Sequence, residues 1–277
     1  MASPSFFGRY THAIVRSVPD SLGAQPAGDG AGPAEPVDLA KAHRQYGVYT
    51  GILRQKLGLQ VIELVADEGL PRSVLVEDAA VIQGDTALVT RPWEPARRGE
   101  VTRIIKKVLE ELKMRVVEVM DDGATLDGSD VLFTGREFFV GISKWTNHRG
   151  AEAVADAFRD FAVSTVPVAG SSHLKSFCSM AGPDTVAIGS SEAAKKAMRS
   201  GARLEVVGGA VNAKGVAWKW LLLTHNALLP RADPCVSPQP FQKLSDLTLI
   251  PAACSEVAKL GGALSSCSLL INKKLDR

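Results

Sequence analysis

Val76-Glu77-Asp78-Ala79-Ala80-Val81-Ile82-Gln83-Gly84-Asp85-Thr86-Ala87-Leu88-Val89 reads VEDAAVIQGDTALV: two short apolar runs joined by Gly84-Asp85. A two-residue Gly-Asp link between such runs signals a β-hairpin. Glu77 and Asp78 stand side by side at the head of the first run, where two buried charges need partners or a purpose. Downstream, Val101, Ile104, Ile105, Val108, Leu109 and Leu112 fall on one face of a helix. Residues 115–120 then return as a strand. The unit recurs. Residues 126–133 lead through Thr134-Gly135-Arg136-Glu137 into 138–142, then a helix over 151–161 and a strand over 162–168. A third copy opens at His173-Leu174-Lys175-Ser176-Phe177 and passes Gly182-Pro183-Asp184 into Thr185-Val186-Ala187-Ile188. Each unit reads strand, tight turn, strand, helix, strand, an α/β repeat.

Polar residues recur in step with the units. Asp78 to Asp127 is 49 positions, Asp127 to His173 is 46, and His173 to Cys267 is 94, or two steps of 47. A period in this range marks a repeat architecture, of which a propeller is one form. Units arranged about an axis bring equivalent residues together, so the spacing predicts acids, an imidazole and a thiol around one pocket. The 277 residues are enough for one sizeable core. Lys plus Arg number 32 against 30 for Asp plus Glu, so no basic footprint points to nucleic acid or an acidic membrane surface. No run reaches the ~20 apolar residues of a membrane span. Cys178, Cys235, Cys254 and Cys267 lie far apart, with no CxxC pair, and the N-terminus lacks the apolar core of a signal peptide. The expectation is a cytoplasmic protein.

Two segments stand apart. Residues 19–36, PDSLGAQPAGDGAGPAEP, are rich in Pro, Gly and Ala and predict a mobile, lid-like loop. It lies between a strand over 11–18 and a helix from about 37. Residues 199–240 show little alternation apart from 216–223 and end in a Pro-rich tract, where the period places a fourth unit. They are expected to be an atypical fourth blade.

Longer stretches carry a resemblance. VEDAAVIQGDTALVTRP, ATLDGSDVLFTGREFFVGISKWTNHRGAE, FAVSTVPV, HLKSFCSMAGP and the C-terminal LLINKK resemble the dimethylarginine dimethylaminohydrolases, within the guanidine-modifying enzymes. KWTNHRG and RPWEPARR look most like the second vertebrate paralogue. The likeness covers residues 1 to about 198 and from about 241 onward. It implies a five-bladed α/β propeller of the pentein type, with 1–277 as a single domain. It also implies hydrolysis of asymmetric dimethylarginine to citrulline and dimethylamine, and through that an influence on nitric oxide production. The implied chemistry is thiolate attack on the guanidinium carbon, a covalent thiouronium, then hydrolysis, without metal or organic cofactor. The implied partner is a small guanidine substrate; protein partners stay open.

By the same resemblance Cys267 is the nucleophile in the matching segment, His173 the general acid and base, and Asp127 its orienting carboxylate. Glu77 and Asp78 are the acids that receive the guanidinium, and Arg97 holds the α-carboxylate of the substrate. Leu22 matches a lid residue and Leu260 a backbone contact. Three positions depart from the pattern. The family places its cysteine two residues before a Ser or Thr; counting back from Ser268 reaches Ser266, with Cys267 one residue later. In a strand that offset turns a side chain to the other face. Trp145 stands where a second carboxylate-binding arginine is expected, and Arg72 where an acid is expected. Two other readings therefore stay open: a catalytically silent paralogue acting through protein contacts, and a thiol hydrolase of another guanidine or amidine.

Overall fold

The computed structural model describes residues 10–24, 36–169, 173–182, 185–189, 205–209, 221–224, 227–229 and 248–273. The architecture is mixed α/β. Strand β1 (His12–Arg16) is followed by helix α1 (Leu39–Gly51) and the parallel strand β2 (Gln60–Leu64). Hairpin β3 (Ala80–Gln83) and β4 (Thr86–Val89) is followed by α2 (Pro95–Arg98), α3 (Glu100–Glu111) and β5 (Arg115–Glu118). The plan repeats with β6 (Val131–Phe133), β7 (Glu137–Ile142), α4 (His148–Ala157) and β8 (Ala162–Pro167). Strands β9 (Cys178–Gly182), β10 (Thr185–Gly189) and β11 (Glu205–Gly209) form a further sheet, and β12 (Leu221–Thr224), β13 (Ala227–Leu229) and β14 (Thr248–Leu249) another. Helix α5 (Ser255–Lys259) precedes β15 (Leu269–Ile271), which returns antiparallel to β1.

The described strands thus form five three-stranded sheets. In each, one pairing is antiparallel and the other parallel. Local chemistry sets the repeat. Gln83 pairs with Thr86 across Gly84-Asp85, and Gly84 takes φ +60°, which glycine adopts without cost. The apolar face read from the sequence packs Ile105 and Leu109 against Ala87 and Val89, all essentially buried. In the β6–β8 unit Phe138 is fully buried and stacked on Phe158 at 4.8 Å.

Bounds differ from expectation where caps decide. The helix expected over 151–161 spans His148–Ala157, because the Asn147 side chain accepts from Gly150 N at 3.0 Å and starts it earlier. Asp38 starts α1 in the same way, accepting from Lys41 N at 2.9 Å. The strands expected over 11–18 and 115–120 are His12–Arg16 and Arg115–Glu118. Of the expected loop 19–36, Asp20–Ala24 form a 3-10 turn and 25–35 lie outside the described residues. Within 199–240, β12 and β13 pair as a hairpin on the common plan; most of the remainder lies outside the described residues.

Four short 3-10 turns lead into the first strand of a sheet: Val76–Ala79 before β3, Gly128–Asp130 before β6, Leu174–Ser176 before β9 and Ser265–Cys267 before β15. Ser265–Cys267 packs on Val76–Ala79, Val76–Ala79 on Gly128–Asp130, and Gly128–Asp130 on Leu174–Ser176. Gly128 permits this approach, since a Cβ there would sit 2.0 Å from the Glu77 carbonyl oxygen.

Candidate active site

The chemistry collects on these turns. Asp127 and His173 each occupy the position just before a turn, and His173 Nε2 bonds Asp127 Oδ2 at 2.9 Å. Asp127 is fixed by two further bonds: its Oδ1 accepts from Trp93 N at 3.2 Å and its N donates to Thr146 Oγ1 at 3.1 Å. The His173 backbone N donates to Ser176 Oγ at 3.2 Å, pinning the imidazole's start point. Asp78 Oδ1 accepts from Ser129 N at 3.2 Å and Oδ2 from Arg97 Nη1 at 2.6 Å. Asp78, Asp127 and His173 present donor atoms all within 4.8 Å of one another.

Glu77 faces its neighbours in the ring. Its Oε2 accepts from Ser129 Oγ at 3.1 Å and its Oε1 from Lys175 Nζ at 2.6 Å. Asp130 ties the second turn to the third, accepting from Leu174 N at 2.8 Å and from Ser143 Oγ at 2.6 Å. The other face of the site is aromatic. Trp145 stacks on His173, centroids 5.2 Å apart at 15°, and meets Trp93 edge-on at 5.3 Å. Lys144 Nζ stands over both indoles, 4.7 and 5.2 Å from their centroids, a cation–π corner.

Charge follows this arrangement. Burial opposes the His173 imidazolium, but the Asp127 hydrogen bond and the charges of Asp78 and Asp130 outweigh it and raise its pKa. Burial and the charge of Asp78 push Asp127 up as well, against the His173 hydrogen bond. Asp78 goes the other way: burial raises it, yet Arg97 and His173 hold it well below the usual carboxylate range. Burial pushes Asp130 up to about 6. A carboxyl whose folded pKa exceeds its ordinary 3.8 favours folding below that pH and loses the contribution as pH rises through about 6. Asp130→Asn keeps an acceptor for Leu174 N and cannot ionise. Its Tm is therefore expected to exceed the parent's at pH 7.5, with a smaller gain at pH 4; a lower Tm at pH 7.5 contradicts the assignment.

The cluster unites five of the sequence candidates: Glu77, Asp78, Arg97, Asp127 and His173. Arg97 was expected to hold a substrate carboxylate; its guanidinium is instead buried against Asp78 and donates from Nη2 to the Leu75 carbonyl at 2.6 Å. Cys267 Sγ is not among the atoms gathered within 4.8 Å. It is buried in the core that also holds Tyr49 and Leu53, 3.6 Å from the Ala263 carbonyl oxygen. The common period does not decide which side chains meet, since Asp78 shares its turn position with Cys267 and joins the cluster. Asp127 and His173 precede their turns, whereas Asp78 and Cys267 stand third within theirs, so the spacings of 49, 46 and 94 mix two positions. Ser266 Oγ accepts from Ala263 N at 3.0 Å. Leu22 and Leu260 are buried in the same core as Cys267, and the Leu260 carbonyl accepts from Arg72 Nη2 at 2.9 Å. Cys178 is a structural thiol: burial pushes it up to about 12, and it donates to the Leu174 carbonyl.

Lys175, Ser129 and Trp93 were missed as site residues, while Trp145 was placed at a site position but not against His173; Lys175 and Ser129 sit inside the repeated turns, which is the signal that marks them. Asp78, Asp127 and His173 are a donor set for a divalent cation, but Arg97 already occupies Asp78. A delocalised planar cation, which shares carboxylate lone pairs through several N–H groups, suits this ring of acids better.

Human DDAH2 is 53% identical to this chain over 280 residues, 96% of each, and bovine DDAH2 is 53% identical over 278 residues, again 96% of each. The N(G),N(G)-dimethylarginine dimethylaminohydrolase of Streptomyces coelicolor is 37% identical over 157 residues, 56% of this chain and 59% of its own. The chain belongs to the dimethylarginine dimethylaminohydrolase family. No family model matches it. Among solved structures, a mutant of the Pseudomonas aeruginosa family member complexed with citrulline superposes with a TM-score of 0.80 at 23% identity, covering 95% of this chain and 99% of that one. The N-terminal domain of ArgZ, a cyanobacterial arginine dihydrolase, gives 0.73 at 17% identity over 95% and 98% of the two chains. These superpositions show a fold shared between the family and an arginine-processing enzyme. No helix among the described residues is long and apolar enough to cross a membrane.

Proposed function

We propose that the five sheets are the blades of a single-domain, five-bladed propeller whose axis carries a guanidine hydrolase site. Its reaction is that of asymmetric dimethylarginine with water, giving citrulline and dimethylamine. The observation that carries the reading is the Asp127–His173 pair set beside Asp78, with Glu77 in the adjoining position of the same ring. Relatives that bear the dimethylaminohydrolase name support the substrate class.

The site's own residues divide the work. Asp78, with Glu77 beside it, offers carboxylate oxygens to the guanidinium N–H groups and fixes the plane of the carbon to be attacked. The nucleophile is Cys267, the thiol carried by the turn that packs on Val76–Ala79. Its S–H proton passes to solvent, and the sulfur adds to the guanidinium carbon. His173, held as an imidazolium by its acids, gives a proton to the departing dimethylamine and leaves a thiouronium. The imidazole then takes a proton from water, the hydroxide adds to the same carbon, and the C–S bond breaks. Citrulline leaves, and the sulfur recovers its proton. Asp127 orients the ring throughout. Cys267 Sγ is turned toward the Ala263 carbonyl, and Trp145 covers a face of His173, so turnover is slow.

The test is release of citrulline and dimethylamine from asymmetric dimethylarginine, in equal amounts, followed by mass spectrometry. His173→Ala should abolish both products while the protein stays folded. Unchanged release in His173→Ala overturns the reading. The same Trp145 stack favours the second reading, a silent paralogue acting through protein contacts. Complete absence of both products from the parent, together with no turnover of other guanidines or amidines, would favour that alternative.

A further inference from the structure

Beyond the Glu77–Lys175 ion pair, along the strands that follow the turns, lies a cavity of ≈ 160 Å³. None of Asp78, Asp127, His173 or Trp145 lines it. Its walls include Val81, Leu132, Met180 and Leu269, one from the first strand of each of four sheets. Its polar lining comes from Glu77, Gln83, Lys175, Ser179, Ser265 and Ser268, with Tyr10 beside them. We propose that this cavity binds a small neutral molecule of about phenol size, with an apolar ring and one hydroxyl or amide group.

Three features specify that class. Ser179 is only 8% exposed, and its hydroxyl, buried in the wall, has no hydrogen-bond partner among the described residues. Native proteins seldom leave such a group unpaired, so the hydroxyl calls for a polar atom from a ligand or a water. The charges, by contrast, are already matched. Lys175 Nζ lies 2.6 Å from Glu77 Oε1, and Ser129 Oγ holds Oε2, so an ionic ligand would meet one like charge at close range. The volume sets the size, because a protein cavity of about 150 Å³ lined by apolar side chains accommodates benzene. Met180 and the neighbouring aliphatic side chains give the ring an adaptable apolar seat.

The cavity shares Glu77 with the guanidinium-receiving acids, so it is tested by binding rather than by turnover. The full chain is titrated with 4-fluorophenol, observed by fluorine NMR, beside fluorobenzene and 4-fluorobenzoate. The expected result is saturable binding of 4-fluorophenol, at least fivefold weaker binding of fluorobenzene, and none of 4-fluorobenzoate. Ser179→Ala should bring 4-fluorophenol down to the fluorobenzene level. Met180→Trp, which fills the cavity, should abolish both. Absence of saturation at millimolar 4-fluorophenol, tighter binding of the benzoate, or full binding retained in Ser179→Ala overturns the proposal. Ser179→Ala removes a single oxygen and decides the matter even where Met180→Trp fails to fold.

Discussion

Ser266→Cys combined with Trp145→Arg and Arg72→Asp is expected to raise citrulline release from asymmetric dimethylarginine at least about hundredfold over the parent, the scale on which a displaced reacting group costs rate. The first change places a thiol one residue earlier on the Ser265–Cys267 turn, at the position held through Ala263 N rather than in the core that also holds Tyr49. The second removes the indole stacked on His173 and supplies a cation for a substrate carboxylate, a role that Arg97 does not take while it pairs with Asp78. The third replaces a guanidinium bonded to the Leu260 carbonyl by an acid that adds to the cation-receiving side of the site. Initial rates of citrulline formation decide it; a triple variant no faster than the parent contradicts the assignment of all three positions.

Asp127→Asn in that triple background is expected to lower the rate by about 10²–10⁴, the range over which proton transfer by a positioned group contributes. Asparagine is nearly isosteric. Its oxygen can still accept from Trp93 N, but its amide then presents N–H toward His173 Nε2 where the carboxylate accepted. The imidazole loses the charge that raised its pKa and is left in the wrong tautomer. Thermal stability should change little by comparison. A rate within threefold of the triple variant would show that Asp127 plays no part in proton transfer.

Much of this organisation was legible before any coordinates. VEDAAVIQGDTALV gave up its hairpin because Gly84-Asp85 permits only a tight link, and the Ile105–Leu109 face follows from periodicity alone. The Asp127–His173 pair was legible too, since both residues stand at the same place in successive units. What failed depends on angles that spacing does not carry. A count of 94 residues cannot distinguish the position before a turn from the third position within it, which is how Cys267 came to be placed in phase. Nor does sequence report that Arg97, 19 residues from Asp78, bonds it rather than a ligand, or that Trp93 and Trp145 meet beside His173. The α4 start was missed for a simpler reason: the hydrophobic pattern begins at Ala151, but the Asn147 cap governs where helical bonding starts.

An intact acid–imidazole pair lies among the four packed turns, and on the proposed reading the placement of the thiol limits its chemistry. The most direct measurement is intact-protein and peptide mass spectrometry after timed exposure to 2-chloroacetamidine, which alkylates a thiol held in a guanidinium-binding site. The parent should take up one adduct slowly, at Cys267, and Ser266→Cys should react at least about tenfold faster at the introduced thiol, with His173→Ala slowing that reaction. Rapid labelling of the parent at Cys267, with Cys267→Ser abolishing both the adduct and citrulline release and Ser266→Cys bringing no gain, would contradict the account.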